Sequence, residues 1–283
     1  MNGLHEVVGR LERAQVLDRC ARPLAMVVSR LVRPRLVRNS LSGTYVGHPL
    51  HPMLTDLPIG AWAMSGLLDV VGGRGAERSA DMLVAAGVVA AVPTAASGLN
   101  DWSDTVGSDT RIGLVHAALN STALGLSMAS LVARARGHRS RGKVFGLAGF
   151  GVLLAGSYLG GHLSFVKGVN VNRTAWQDGP REWTDVLADT ELADGGHCKV
   201  DVAGAPILLA RTQTGLWALA NTCSHMGGPL NEGTFTDGSV TCPWHGSTFR
   251  SSDGSIVRGP ASTPQPRYET RVSNRRIQVR VLP

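Results

Sequence analysis

Four side chains in the last quarter of the chain are of types that can work together. Cys223 and His225 are spaced C-x-H, Cys242 and His245 are spaced C-x-x-H, and sixteen residues separate the pairs. Thiolate sulfur and imidazole nitrogen are ligands for both iron and zinc. Mixed pairs suit a [2Fe–2S] cluster in which two cysteines hold one iron and two histidines the other. Short spacing puts each pair on one tight loop, and the longer gap lets two loops close on a cluster from opposite sides. Glycine and proline follow each pair, in His225-Met-Gly-Gly-Pro-Leu and Cys242-Pro-Trp-His-Gly-Ser, where backbone must approach sulfide closely. A Cys2His2 zinc site uses the same residues. Structural zinc sites, however, commonly keep like ligands together, as C-x2-4-C and H-x3-5-H. Here each half carries one of each, and the iron–sulfur reading is the expectation.

On these motifs, residues from about 183 to 283 resemble a Rieske domain of the ferredoxin type. The resemblance implies an all-β fold, a [2Fe–2S] cofactor, and Cys223, His225, Cys242 and His245 as the metal ligands. Quinol-oxidising members of that family carry a disulfide between the cluster loops; Gly228 and Trp244 stand at those positions here. Ser247 matches a hydroxyl that donates to a bridging sulfide in that branch, and Phe249 stands where a phenolic donor would be. Fewer donors to sulfur stabilise the reduced cluster less, so the expected potential is near the low end of the Rieske range, on the order of −150 mV. That argues against quinol oxidation.

The elements that must carry this site are of two kinds. Of 283 residues, 43% are hydrophobic and only 17% charged, with a net charge of +7. The length allows two domains, and the charged fraction is low for a soluble protein. The arginines lie in the N-terminal tail, between apolar runs and in the C-terminal part, without the interleaved aromatics of a nucleic-acid patch. Four cysteines, two of them in the cluster motif, imply no disulfide framework.

Residues 1–45 are expected to form a basic amphipathic tail, with helical spacing broken near Pro23, lying in the membrane interface or packed as a solvated helix on the C-terminal domain. The stretch from Asn39 to Thr44 reads as a loop. Residues 46–168 are expected to form four transmembrane helices, with apolar runs from about His51 to Val71, Ala80 to Leu99, Ile112 to Val132 and Val144 to Val166. Each approaches the ~20 residues that cross a bilayer, and each is rich in small residues that allow close helix approach. A polar linker follows over 169–182, and residues 183–283 alternate as short antiparallel strands, with hairpin turns at Asp237-Gly and Asp253-Gly. The fold class is thus a four-helix transmembrane bundle followed by an all-β iron–sulfur domain. The signature Gly47-His-Pro-Leu-His-Pro, followed by Pro58-Ile-Gly, Gly98-Leu-Asn-Asp-Trp and Tyr158-Leu-Gly-Gly-His, resembles a family of small bacterial four-helix membrane domains. Some of its members are fused to a Rieske domain.

Four spans bring both ends of the chain to one side. His51, His116 and His162 then fall toward that end of the bundle, where ionisable groups are expensive and usually functional. Three readings are open: axial ligation of a haem b, a structural role at the helix ends, or a quinone or proton site. The expected protein is a membrane-anchored one-electron carrier of the cell membrane. A soluble reductase or redox protein would reach the cluster at an exposed edge near His225 and His245. The lipid bilayer is a second partner and nucleic acid is not. The absence of an export signal and of disulfides favours a cytoplasmic cluster domain. The alternative is an electron-transfer component of an oxygenase system in which the helices only anchor. No histidine follows His245, so the two-histidine, one-carboxylate iron site of an oxygenase is not expected in this chain.

Overall fold

The computed structural model describes residues 3–213, 215–236 and 238–282, and the chain divides into two compact units. The first comprises residues up to 34 together with 49–169, and the second comprises 35–48 and 170–283.

The first unit is helical. Two short helices, α1 (Gly3–Arg13) and α2 (Asp18–Leu31), precede the long helices α4 (Leu50–Val71), α5 (Glu77–Trp102), α6 (Ser108–Ala135) and α7 (Arg139–Gly161), the last extended by a π-helical turn over His162–Val166. With their one-turn extensions all four long helices are 22 to 29 residues long, with mean hydropathy of 1.2 to 1.8, long and apolar enough to cross a membrane. Their packing is inverted relative to a soluble bundle. Ser65, Thr94, Ser97, Asn100, Ser127 and Ser130 are buried between helices, while Leu57, Leu67, Val89, Val92 and Leu154 point outward. Small polar groups let helices approach and bond to each other's backbone: Ser65 Oγ donates to Ala80 O (2.9 Å) and Ser130 Oγ to Gly142 O (2.6 Å). The α6–α7 turn closes with a Schellman motif. Gly137 takes a left-handed φ of 79°, its N–H meets Arg134 O, and the next N–H, of His138, meets Ala133 O.

The short helices dock on this bundle. Val8 of α1 is buried with Ile112 of α6 and Leu159 of α7. Arg111 holds Asp18 through Nε (2.7 Å) and the Glu12 carbonyl through Nη1 (2.6 Å). The break in the tail falls at Ala14–Leu17, not at Pro23, which lies inside α2. The other three membrane runs outlast their sequence limits, α5 for example reaching from Glu77 to Trp102, while α4 keeps its expected span with Pro58 inside it.

The second unit is built on two antiparallel sheets. The larger has the order β1-β10-β9-β4-β3-β2, with β1 Thr184–Ala188, β2 His197–Val202, β3 Ala205–Thr212, β4 Gly215–Ala220, β9 Arg267–Ser273 and β10 Arg276–Val281. The smaller runs β5-β6-β7-β8, over Thr234–Thr236, Ser239–Thr241, Thr248–Arg250 and Ile256–Arg258. Strand β3 divides the interior by its alternation. Ile207 and Leu209 enter one core with Ile277 and Val279; Leu208, paired with Leu219, enters a second with Leu230, Val240 and Phe249. The Asp253-Gly254 hairpin turn is present, with Asp253 Oδ1 accepting from Ser255 N–H (2.9 Å). The other expected turn falls on Asp237, outside the described residues.

The expected tail of 1–45 is not one element. Residues 35–48 belong to the β unit, and the expected loop is largely helix α3 (Arg35–Ser42), closed by a left-handed Gly43. Polar residues of this segment face inward. Asn39 is buried and its Oδ1 accepts from Gly259 N–H (2.8 Å), while Thr44 Oγ1 donates to Ala261 O (2.9 Å). Polar side chains chosen for distant partners look like loop composition in the sequence.

Candidate metal centre

Two loops of the β unit close in the same way. In the first, between β4 and β5, Cys223 N–H donates to Gly228 O (2.9 Å) and Gly227 N–H returns to Cys223 O (2.9 Å). In the second, between β6 and β7, Cys242 N–H donates to Ser247 O (2.8 Å) and Gly246 N–H returns to Cys242 O (3.1 Å). The residue four after each cysteine is a glycine with positive φ, 86° at Gly227 and 74° at Gly246, where a side chain would strain the turn. Each loop therefore folds its backbone over its own sulfur. N–H groups of His225 and Met226 aim at Cys223 Sγ, and those of Trp244 and His245 at Cys242 Sγ.

The donors gather as two and two. Cys223 and Cys242 are buried and their sulfurs hydrogen-bond to each other; the rings of His225 and His245 meet edge to face with centroids 5.2 Å apart. Among the described residues, no three His, Cys, Asp or Glu side chains converge on one point as a mononuclear site requires. A bridged two-iron cluster takes only two protein ligands per iron, so this arrangement fits it. Gly228 leaves the room: a Cβ there would stand 2.7 Å from Cys242 Sγ and 3.1 Å from the Trp244 ring. Gly228 and Trp244 are thus neighbours in space, and all four cysteines are free thiols.

The electrostatics favour the ligand form at Cys242 and His225. The two thiols share a proton. Cys242 is pulled down to about 7 by the Cys223 S–H and its two backbone N–H groups, while Cys223 is driven up by that same partnership and by burial. Burial, His245, Arg38 and Arg173 together hold His225 down to about 3, a neutral imidazole at physiological pH. Metal binding needs thiolate sulfur and neutral nitrogen, so Cys242 and His225 are poised for it while Cys223 has still to give up its proton. The expected exposed edge is only partly present, because His225 is 7% exposed and His245 is half-buried.

Several supporting residues were not legible in the sequence. Gln265 pins the first loop, accepting from Ser224 N–H (3.0 Å) and donating to Ala220 O (2.7 Å) and Thr222 O (2.5 Å). Arg173 N–H donates to Ser224 O (3.0 Å). Ser247, fully buried, accepts at Oγ from Ala261 N–H (3.0 Å), which leaves its own hydroxyl proton to donate. Phe249 is core, in β7 opposite Val240.

The bundle histidines separate. His51 and His116 come together with ring centroids 6.3 Å apart. His162 does not join them; its Nε2 lies 3.6 Å from Glu12 Oε1, which also meets Lys167 Nζ at 2.8 Å. At the opposite helix ends lies a cluster that the hydropathy runs concealed. Asp69 of α4 and Arg134 of α6 are buried against each other, with Asp81 of α5 and Arg139 of α7 joining (Arg134 Nη1 to Asp81 Oδ1, 2.8 Å; Arg139 Nη2 to Asp69 Oδ1, 3.2 Å).

Comparison with known proteins agrees with both halves. Residues 182–269 match the Rieske [2Fe-2S] domain, and residues 47–173 match a family described as a predicted membrane protein, DUF2231. The chain thus carries a Rieske [2Fe–2S] domain after a membrane domain of four apolar helices, and a [2Fe–2S] cluster is the cofactor of the former. It is 29% identical over 90 residues to human (Homo sapiens) apoptosis-inducing factor 3, covering 32% of this chain and only 15% of that protein. It is 29% identical over 98 residues to ferredoxin CarAc of Metapseudomonas resinovorans, covering 34% of this chain and 92% of the ferredoxin. Among solved structures, the ferredoxin of carbazole 1,9a-dioxygenase from Nocardioides aromaticivorans IC177 aligns at 25% identity and a TM-score of 0.34, over 35% of this chain and 98% of its own.

Proposed function

We propose that this chain is a membrane-anchored one-electron carrier, with Cys223 and Cys242 ligating one iron and His225 and His245 the other. The observation that carries the ligand set is the pairing of two buried sulfurs and two imidazoles by two loops closed with the same hydrogen bonds. The cluster, when bound, supplies exchange of a single electron. The chain's own groups do the rest. Backbone N–H groups stabilise the cysteine thiolates, Gly228 leaves space beside Cys242, and Ser247, its Oγ already accepting from Ala261 N–H, keeps a hydroxyl hydrogen to donate to the cluster. Arg38 and Arg173 set a positive field beside His225.

Under this reading a soluble reductase or redox protein delivers the electron near half-buried His245, and the acceptor is a membrane or protein partner. The β domain lies on the same side of the cell membrane as the N-terminus, the cytoplasmic side being favoured by cysteine usage. A second reading is supported by the likeness to ferredoxin CarAc and to the ferredoxin component of a naphthalene 1,2-dioxygenase system in Pseudomonas putida. There the domain serves an oxygenase system and the helices only anchor it.

The ligand set is tested by Cys242→Ala in the full chain. The rhombic EPR signal of the reduced cluster disappears and iron and acid-labile sulfide fall together. Persistence of the signal would reject the assignment, and a colourless wild-type protein carrying zinc would reject the carrier altogether.

A further inference from the structure

The paired histidines of the bundle are seated by one device used twice. His51 of α4 lies against α5, where its Nδ1 is 3.0 Å from Thr94 O and its ring packs on Gly98. His116 of α6 lies against α7, where its Nδ1 is 2.8 Å from Gly156 O and its ring packs on Gly160. In both cases the accepting carbonyl and the glycine are four residues apart on the partner helix, one above the other on the same face. A Cβ at Gly98 would stand 2.7 Å from His51 Cε1, and one at Gly160 2.9 Å from His116 Cε1. The α4–α5 and α6–α7 hairpins thus present one imidazole each, in equivalent seats.

A carbonyl oxygen only accepts, so each Nδ1 carries the proton and each Nε2 the lone pair. This is the tautomer in which imidazole binds a transition metal, with the carbonyl as the outer partner that fixes the ring. The spacing agrees. Metal–nitrogen bonds of about 2.0 Å, plus about 1.1 Å from each nitrogen to its ring centre, put two collinear imidazoles about 6.2 Å apart; the observed separation is 6.3 Å. Asn120 Nδ2 stands 3.3 Å from His116 Nε2, but its shorter bond, 2.8 Å, goes to the His116 carbonyl.

Two imidazoles are too few for a bare ion, and no third His, Cys, Asp or Glu converges with them among the described residues. A haem brings four ligands of its own and needs two axial ones. We infer that His51 and His116 are the axial ligands of a haem b held within the four-helix bundle, a second one-electron centre in this chain. The inference rests on the electron-carrier reading only in that the haem then has a donor; the site itself stands on the histidine seats.

The test uses the full chain in detergent, as purified and after titration with haemin. The expected wild type binds one haem per chain with a six-coordinate, low-spin spectrum. His51→Ala and His116→Ala each lose that spectrum and bind haemin at least about tenfold more weakly. His162→Ala keeps it. His116→Met retains haem and moves its midpoint potential upward, a shift that misfolding does not produce. A wild type that neither contains nor takes up haem overturns the inference, as does an unchanged low-spin spectrum in both alanine variants or its loss in His162→Ala alone. The rhombic cluster signal is recorded in every sample. Haem without that signal upholds the histidine pair and rejects the cluster ligands; the signal without haem does the reverse.

Discussion

A single methyl group at residue 228 is enough to test how tightly the cluster loops are built. Gly228→Ala would force Cβ to 2.7 Å from Cys242 Sγ and against the Trp244 ring, contacts that backbone or sulfur must relieve. Overpacking of this kind costs about 1–3 kcal/mol, and the expected outcome is faster cluster loss on heating, followed by bleaching of the visible bands; an unchanged rate would show that the loops are slack. The gathering of the four candidate ligands was legible because their identity and spacing are local: each loop is a few residues long and closes on itself. Gln265 was not legible, since a glutamine reaching back some forty residues to Ser224 and Thr222 leaves no local pattern. The histidine pair was half legible. Sequence puts His51, His116 and His162 near one end of the bundle, but only packing shows that the first two share a seat design while the third turns to Glu12.

Secondary elements are legible where hydrophobic pattern decides and poorly so where distant polar partners do. The four long helices follow from apolar length, and the strands follow from alternation. Helix α3 reads as loop because Asn39 and Ser42 suggest a turn, yet both are buried. Asn39→Ala removes the acceptor of Gly259 N–H and leaves that donor unsatisfied, an expected loss of about 1–3 kcal/mol from the β unit. The check is thermal loss of the cluster absorbance. Arg35→Ala, an exposed change on the same helix, is the control that does not shift it. Docking of α1 gives a pH prediction. Lys167 holds the Glu12 carboxyl below its ordinary range, and Glu12 raises Lys167 in return. The carboxylate's contribution is present above its unfolded value and lost as pH falls through the lowered one. The lysine's contribution is present below its unfolded value and lost as pH rises through the raised one. Amide exchange in α1 is therefore expected to be slowest across neutral pH and to rise in acid and in strong alkali, by no more than about 1 kcal/mol for so exposed a pair. Exchange that is flat once corrected for intrinsic pH dependence would detach the pair from α1 docking.

For the whole molecule, the bundle's polar lock is the strongest test of its architecture. Arg134→Ala leaves Asp69 buried without its main partner, an expected loss of about 3–5 kcal/mol measured as unfolding in detergent. Replacing both partners by neutral residues restores part of it if the pair is structural, and none of it if the loss arises elsewhere. Finally, residues 35–48 and 170–283 make one β unit although the entire helical membrane segment is threaded between them in the chain. A fold stitched from both flanks of an inserted segment obliges that segment to leave and re-enter the same compartment, so an odd number of crossings is forbidden. It also sets a timetable for biosynthesis. The early strip lacks its β-unit partners, its Asn39 unmatched, until the last strands have been made, so the β unit closes only after the helical segment has been synthesised.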